Sequence, residues 1–249
     1  MSAQHLLPPA ARRERMLAKR QAVLKFLGQE GFTTTEIVAQ LLHTTRWPAS
    51  TALRALRLAN MIVEHRLETE LGPVSLWGIS THGFLMSSDG IEGGKYYEPG
   101  RLSASTHFHA LDVQRVRLLA EQSGWKDWDS SRICQRRAFQ EKGVWLNVPD
   151  AIAISPDGER VAVEVERTFK SPKRYHAIYA NYLQMVRART IDRIAYVCMV
   201  EGMAIRLRKL FDHIDILKIQ GTRHAVNDSH RAKLRCYEFS NWPNTPAII

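Results

Sequence analysis

Apolar residues return at helical spacing from the start of the chain: Met16, Leu17, Val23, Leu24 and Leu27 line one face of the stretch from Arg12 to Gly28, and Gly28 or Gly31 closes it. Thr33-Thr34-Thr35-Glu36 is a cap signal, so Ile37 to Leu42 is expected as a short second helix. A third begins at Trp47-Pro48-Ala49-Ser50 and runs to about Asn60. Its inner stripe is Ala52, Leu53, Leu56 and Ala59, while Ser50, Arg54 and Arg57 share the opposite face. The period then changes to two. Met61 to Thr69 and Val74 to Ser80 alternate around Leu71-Gly72-Pro73, as a hairpin does.

Residues 82–106 lose this periodicity and read as a linker, with Ser87-Ser88-Asp89-Gly90, Glu92-Gly93-Gly94 and Pro99-Gly100 as breakers. Pattern returns with a helix from about His107 to Gln122, closed by Gly124. Ile133 to Phe139 and Val144 to Ile154 are expected as strands, with Glu141-Lys142-Gly143 turning between them. Ser155-Pro156-Asp157-Gly158 is a turn leading into the alternating strand Val161 to Glu166. Ser171 caps and Pro172 opens a helix whose inner stripe is Tyr175, Ile178, Tyr182 and Met185. Ile191 to Val200 is apolar on both faces, as a buried strand is. A helix over Met203 to Phe211 and strands at Ile214 to Ile219 and Leu234 to Phe239 follow. The expected class is α/β (α+β), with domains at 12–81 and 107–249 joined by 82–106.

Alternation places Glu164 and Glu166 on one strand face and Val163 and Val165 on the other. Asp150, on the preceding strand, can approach the acidic face. Carboxylates gathered this way raise one another's pKa, so a fold that assembles them normally also holds a cation. Oxygen ligands suit Mg²⁺ or Mn²⁺, with Asp150, Glu164 and Glu166 as the candidate set. Lys170 would orient a water or neutralise a developing phosphorane. The alternative is a turn aspartate and a solvated sheet face.

Charge adds a partner. Lys+Arg 35 against Asp+Glu 25 leaves +10, which argues for a polyanion, nucleic acid first. Cys134, Cys198 and Cys236 lie far apart without metal-ligand spacing and read as reduced core residues of a cytoplasmic protein. The basic start leads into an amphipathic helix rather than a signal peptide, and no apolar run approaches membrane-spanning length.

Three helices followed by a hairpin resemble a winged helix-turn-helix over about Arg12 to Thr81. That resemblance implies that the third helix enters the major groove, with Arg54 and Arg57 contacting phosphate or guanine and Arg46 and Ser50 nearby. Pro149-Asp150 followed by Glu164-Val165-Glu166, within a helix, three strands, a helix and a strand, resembles the PD-(D/E)xK nuclease fold. Glu166 stands where that motif has lysine, and the nearest lysine is Lys170.

The longer series is narrower. It runs from the winged helix through His109-Ala110-Leu111-Asp112-Val113, Trp128-Asp129-Ser130-Ser131-Arg132 and Pro-Asp to Glu164-x-Glu166-x₃-Lys170-Ser171 with Arg174-Tyr175. It is similar to the replication-relaxation family, and within it to the MobC-type relaxases of mobilizable plasmids. The resemblance implies an endonuclease that nicks one strand at a plasmid origin of transfer, with an accessory mobilization protein and a coupling ATPase as partners. Its nuclease residues carry over to Asp150, Glu164, Glu166 and Lys170, with His109 at a further matched position. Lys173 and Arg174 would hold the DNA backbone. A non-catalytic DNA-binding regulator or replication initiator is the alternative. A second is a relaxase using His107-Phe108-His109 as metal ligands and Tyr96 or Tyr97 as nucleophile, which needs the histidines on a strand.

Overall fold

A computed structural model of the chain describes residues 8–69, 72–87, 96–98, 100, 103–141, 143, 145–219 and 221–247. Leu71, the glycine-bearing stretch 88–95, Pro99, Lys142 and Val144 lie outside the described residues. The described elements are helices α1 Pro9–Glu30, α2 Thr35–Leu41, α3 Arg46–Leu58, α4 Thr81–Ser87, α5 Ala104–Gln122, α6 Ser131–Gln140, α7 Pro172–Arg187, α8 Met203–Asp212 and α9 Asp228–Arg231. The strands are β1 Phe32–Thr33, β2 Ile62–Leu67, β3 Val74–Ile79, β4 Lys126–Ser130, β5 Ala151–Ile154, β6 Arg160–Glu166, β7 Arg193–Cys198, β8 Ile216–Ile219, β9 Thr222–Ala225 and β10 Leu234–Glu238. The architecture is mixed α/β, and the chain divides into two compact units, Met1–Leu111 and Asp112–Ile249.

In the first unit, Val23 and Leu27 of α1, Val38 of α2, Leu53 and Leu56 of α3 and Ile62, Trp77 and Ile79 of β2 and β3 share one core. Thr34 caps α2, its hydroxyl accepting from Ile37 N at 3.4 Å. The expected hairpin forms, with β2 and β3 antiparallel, and β1 adds a third strand beside β3. Two parts of the stretch read as linker are ordered. Thr81–Ser87 is a helix whose Gly83 sits against the Met61 carbonyl, where an added Cβ would fall 1.8 Å from the oxygen. Tyr97 lies across Gly78 of β3, and its N–H donates to Ile79 O at 3.0 Å.

The second unit is built on a five-stranded sheet ordered β10-β7-β6-β5-β4. β4, β5 and β6 run antiparallel, and β6, β7 and β10 are parallel. The alternation read in β6 decides which core each residue joins. Ala162 packs with Tyr175, Tyr179 and Tyr182 of α7 and Leu207 and Phe211 of α8 on one side. Val161, Val163 and Val165 pack with Val116 and Ala120 of α5 and with Trp125, Trp128 and Trp242 on the other.

Two expected strands are corrected. Residues 133–139 belong to α6, which buries Cys134, and of the strand expected over 144–154 only Ala151–Ile154 joins the ladder. Pro149 lacks the N–H a ladder needs. The first strand of the sheet is β4 instead, Lys-Asp-Trp-Asp-Ser, polar except for its buried tryptophan.

Candidate functional site

The β5–β6 hairpin sets the geometry of the acidic corner. Ala151 pairs with Val163, so the next residues along that register are Asp150 and Glu164. Asp150 is held there by its own side chain, whose Oδ2 accepts from Val165 N at 2.8 Å. Glu164 is half-buried in surface terms, yet its carboxyl group is enclosed by protein. Its Oε1 accepts from Asn147 Nδ2 at 3.1 Å and from the Tyr182 hydroxyl. Burial, then the charge of Asp150, push the Glu164 carboxyl up to about 8, against the opposing pull of Tyr182 and Lys170.

Glu166 takes a different partner. Two residues further along the same face, it is buried and accepts from Lys170 Nζ. Lys170 stands just before α7. Its backbone N–H donates to the Tyr175 hydroxyl at 3.2 Å, which fixes the segment onto the helix it precedes. The ammonium therefore lies where the strand's second acidic position ends. Among the described residues no group of three or more His, Cys, Asp or Glu side chains is gathered in a way that could hold a metal.

The N-terminus of α7 closes this corner. Ser171 Oγ accepts from Arg174 N at 3.4 Å, and Pro172 takes the first helical position, as the sequence predicts. Lys173 and Arg174 are exposed in the first turn, which carries no acidic residue. Cations at the positive end of a helix cost stability rather than adding to it.

On the opposite face of β6, Arg167 reaches Asp112 of α5, which also pairs with Arg115 at 2.6 Å. Asp112 is buried, so the bridge ties α5 to the end of the acidic strand. Sequence reasoning passed over this bridge, and over Asn147 and Tyr182 as carboxylate partners. Tyr182 looked like part of an apolar stripe, and only its hydroxyl makes it more.

In the first unit, α3 buries Ala49, Ala52, Leu53 and Leu56, leaving Arg54 and Arg57 exposed and Ser50 half-buried. Arg57 pairs with Glu64 at 2.8 Å and Arg46 with Glu36 at 3.3 Å, both on the surface. Arg54 has no ion-pair partner among the described residues. Trp47 is 77% exposed at the start of the same helix.

His107 and His109 both lie on α5, so the strand they would need is absent there, and residues two apart on a helix point about 200° apart. His107 is buried, with Nδ1 against Ser103 O at 2.9 Å and Nε2 against the Tyr97 hydroxyl at 2.8 Å. A backbone carbonyl can only accept, so Nδ1 carries the proton and Tyr97 donates to Nε2. Burial pushes the Tyr97 phenol up, away from the phenolate a nucleophile requires. The histidine-triplet reading fails on this geometry. His109 is half-buried on α5, and Tyr96 is exposed.

The three cysteines are free and buried, and burial pushes the Cys134 thiol up to about 12, as expected of core residues. Among the described residues no helix is long and apolar enough to cross a membrane.

No protein-family model and no curated protein matches the chain. Among solved structures, an apo-form mutant of Lactococcus lactis ZitR is similar over 31% of this chain, at 22% identity and a TM-score of 0.26. The chain spans 58% of the length of that protein.

Proposed function

We propose that the protein is a DNA endonuclease dependent on Mg²⁺ or Mn²⁺, a relaxase of the MobC type that nicks one strand at a plasmid origin of transfer. The second unit would be its nuclease domain, related to the PD-(D/E)xK group, and the first a winged helix-turn-helix that selects the DNA site. The observation that carries this reading is the hairpin register that brings Asp150 and Glu164 side by side, Asp150 held by Val165 N and Glu164 by Asn147 and Tyr182. Two carboxyl groups in one corner oppose folding, and functional sites are where such opposition is retained.

The donor set fits a hard divalent cation through Asp150 and Glu164, the two acids at one register position. Bound there, the cation would polarise a phosphoryl oxygen and lower the pKa of a water. The chain's own residues do the rest. Asn147 and Tyr182 hold Glu164 Oε1 in one orientation, and Val165 N does the same for Asp150. Lys170, anchored on Glu166, presents positive charge for the developing phosphorane. Glu166 acts here as that anchor rather than as a third ligand. Lys173 and Arg174 hold the DNA backbone, whose phosphate would offset the unfavourable charge at the start of α7. His109 is carried as a site residue only by the family resemblance.

Arg54, Arg57, Arg46 and Ser50 would meet DNA from α3, and the surface pairs of Arg57 and Arg46, worth about 0.2–1 kcal/mol, are weak enough to exchange for phosphate. An accessory mobilization protein and a coupling ATPase would complete the assembly.

One observation favours a second reading. The pairing of buried Glu166 with half-buried Lys170, without a gathered set of three metal-binding side chains among the described residues, also suits a DNA-binding regulator or replication initiator whose second unit only folds or recruits. Metal-dependent relaxation of a supercoiled plasmid carrying the cognate origin separates the two. The wild-type protein should relax it, and Asp150→Asn and Glu164→Gln should not, while both bind the origin within a few-fold of wild type. A wild-type protein that binds the plasmid and leaves it supercoiled with either metal would establish the second reading.

A further inference from the structure

An open groove of about 490 Å³ lies between the start of α7 and helix α8. Its lining mixes apolar residues, Phe169 and Leu210 among them, with the basic or titratable side chains Arg206, Lys209, His176 and His213, and contains no acidic residue. All four of those side chains are exposed. The Arg206 guanidinium lies over the Phe169 ring, its carbon 4.8 Å from the ring centre. Neither Arg206 nor Lys209 has an ion-pair partner among the described residues. Phe169 directly precedes Lys170, so the groove begins one residue from the acidic corner.

We propose that this groove is a nucleotide subsite for single-stranded DNA, in which an unpaired base stacks on the outer face of the Arg206 guanidinium and the adjoining phosphates meet Lys209. The charge selects a polyanion. The aromatic contact selects among polyanions, because a guanidinium held over an aromatic ring offers a surface on which a base can lie. Bases in a duplex are already stacked on their neighbours, whereas those of a single strand are free to be splayed onto such a platform. The inference rests on the nuclease reading for its relevance. It gives that reading a substrate class: a strand unpaired beside the bond to be cut.

The experiment uses the full-length protein with EDTA, so that binding is read without cleavage. Fluorescence anisotropy compares labelled oligothymidine, an abasic strand of equal length and charge, and a duplex. Wild-type protein should prefer the oligothymidine to the abasic strand, and Arg206→Ala should weaken oligothymidine binding about 10-fold, as the loss of one base stack does. Duplex binding should stay within twofold. Arg206→Lys keeps the charge and loses the plane, so it should behave like the alanine variant, and Lys209→Ala should weaken both single strands alike.

Equal wild-type binding of the base-bearing and abasic strands would overturn the proposal, as would an Arg206→Ala loss equal for single strand and duplex. The nuclease reading fails separately. If no metal supports nicking but the Arg206-dependent base preference is present, the subsite stands without the cleavage.

Discussion

An acid that keeps its proton far above the usual carboxylate range gives folding a pH dependence opposite to that of a salt-bridged acid. The folded Glu164 carboxyl titrates at about 8 against an ordinary 4.5, so both states are protonated below 4.5 and no difference arises there. Between these values the unfolded chain releases a proton that the folded chain retains, and stability falls as pH rises. Glu164→Gln is neutral throughout and should remove that fall. Its melting temperature at pH 8 should exceed the wild-type value by several degrees, with the gap closing near pH 4.5. Matching calorimetric pH profiles for the two proteins would mean that Glu164 is already charged in the fold.

The same corner gives a second measurement, independent of cleavage. If Asp150 and Glu164 hold a divalent cation, millimolar Mn²⁺ should raise the wild-type melting temperature at pH 8, because a ligand that binds only the folded state stabilises it by mass action. Asp150→Asn should abolish the rise. A rise of equal size in that variant would place the ion elsewhere.

At the scale of elements, what was legible depended on whether local signals agreed. Ser171-Pro172 gave the start of α7 to the residue, and the alternating valines gave both the span of β6 and its two faces. The acidic corner was legible for the same reason, since a strand period and an Asp-Gly turn leave Asp150 and Glu164 few other places to go. The stretch 133–139 failed because Ile133, Cys134 and Phe139 satisfy a short strand as well as a helix, and the pairing of Arg137 with Asp129 of β4 exists only once that strand is in place. β4 was hidden because its place comes from pairing with β5 rather than from its own composition. Partners distant in sequence, such as Asp112 with Arg167, had no local signature at all.

The start of α7 also yields a test of its own. Ser171→Ala should cost about 1 kcal/mol by denaturant titration, the usual worth of an N-cap. It should lower nicking by more than that loss of stability explains, because Lys170, Lys173 and Arg174 are all displayed at this end. A loss of stability with nicking unchanged would make these cations part of a solvated face.

The whole chain raises the question of where the first unit stops, and the packing of Tyr97 answers it. Its ring lies on Gly78, where an added Cβ would meet the ring at 2.1 Å, and on Phe32 and His65 at centroid distances of 5.1 Å. Its hydroxyl is held by His107, which also meets Phe32 edge to face at 5.0 Å. A fragment ending at residue 82 keeps all three helices and the hairpin but strips this aromatic cover from β3. A fragment of residues 1–111 keeps it. The longer fragment should therefore melt cooperatively and several degrees above the shorter one.

DNA binding should follow the same division. If the first unit is the DNA-reading module, the longer fragment should bind duplex DNA with an affinity that falls steeply with salt. Arg54→Ala, which removes the α3 arginine lacking an ion pair among the described residues, should reduce that salt slope by about one unit. Arg57→Ala should change it less, because phosphate contact there must first displace Glu64. A well-folded 1–111 fragment without salt-sensitive binding would make α3 and its exposed Trp47 a surface for protein rather than for DNA.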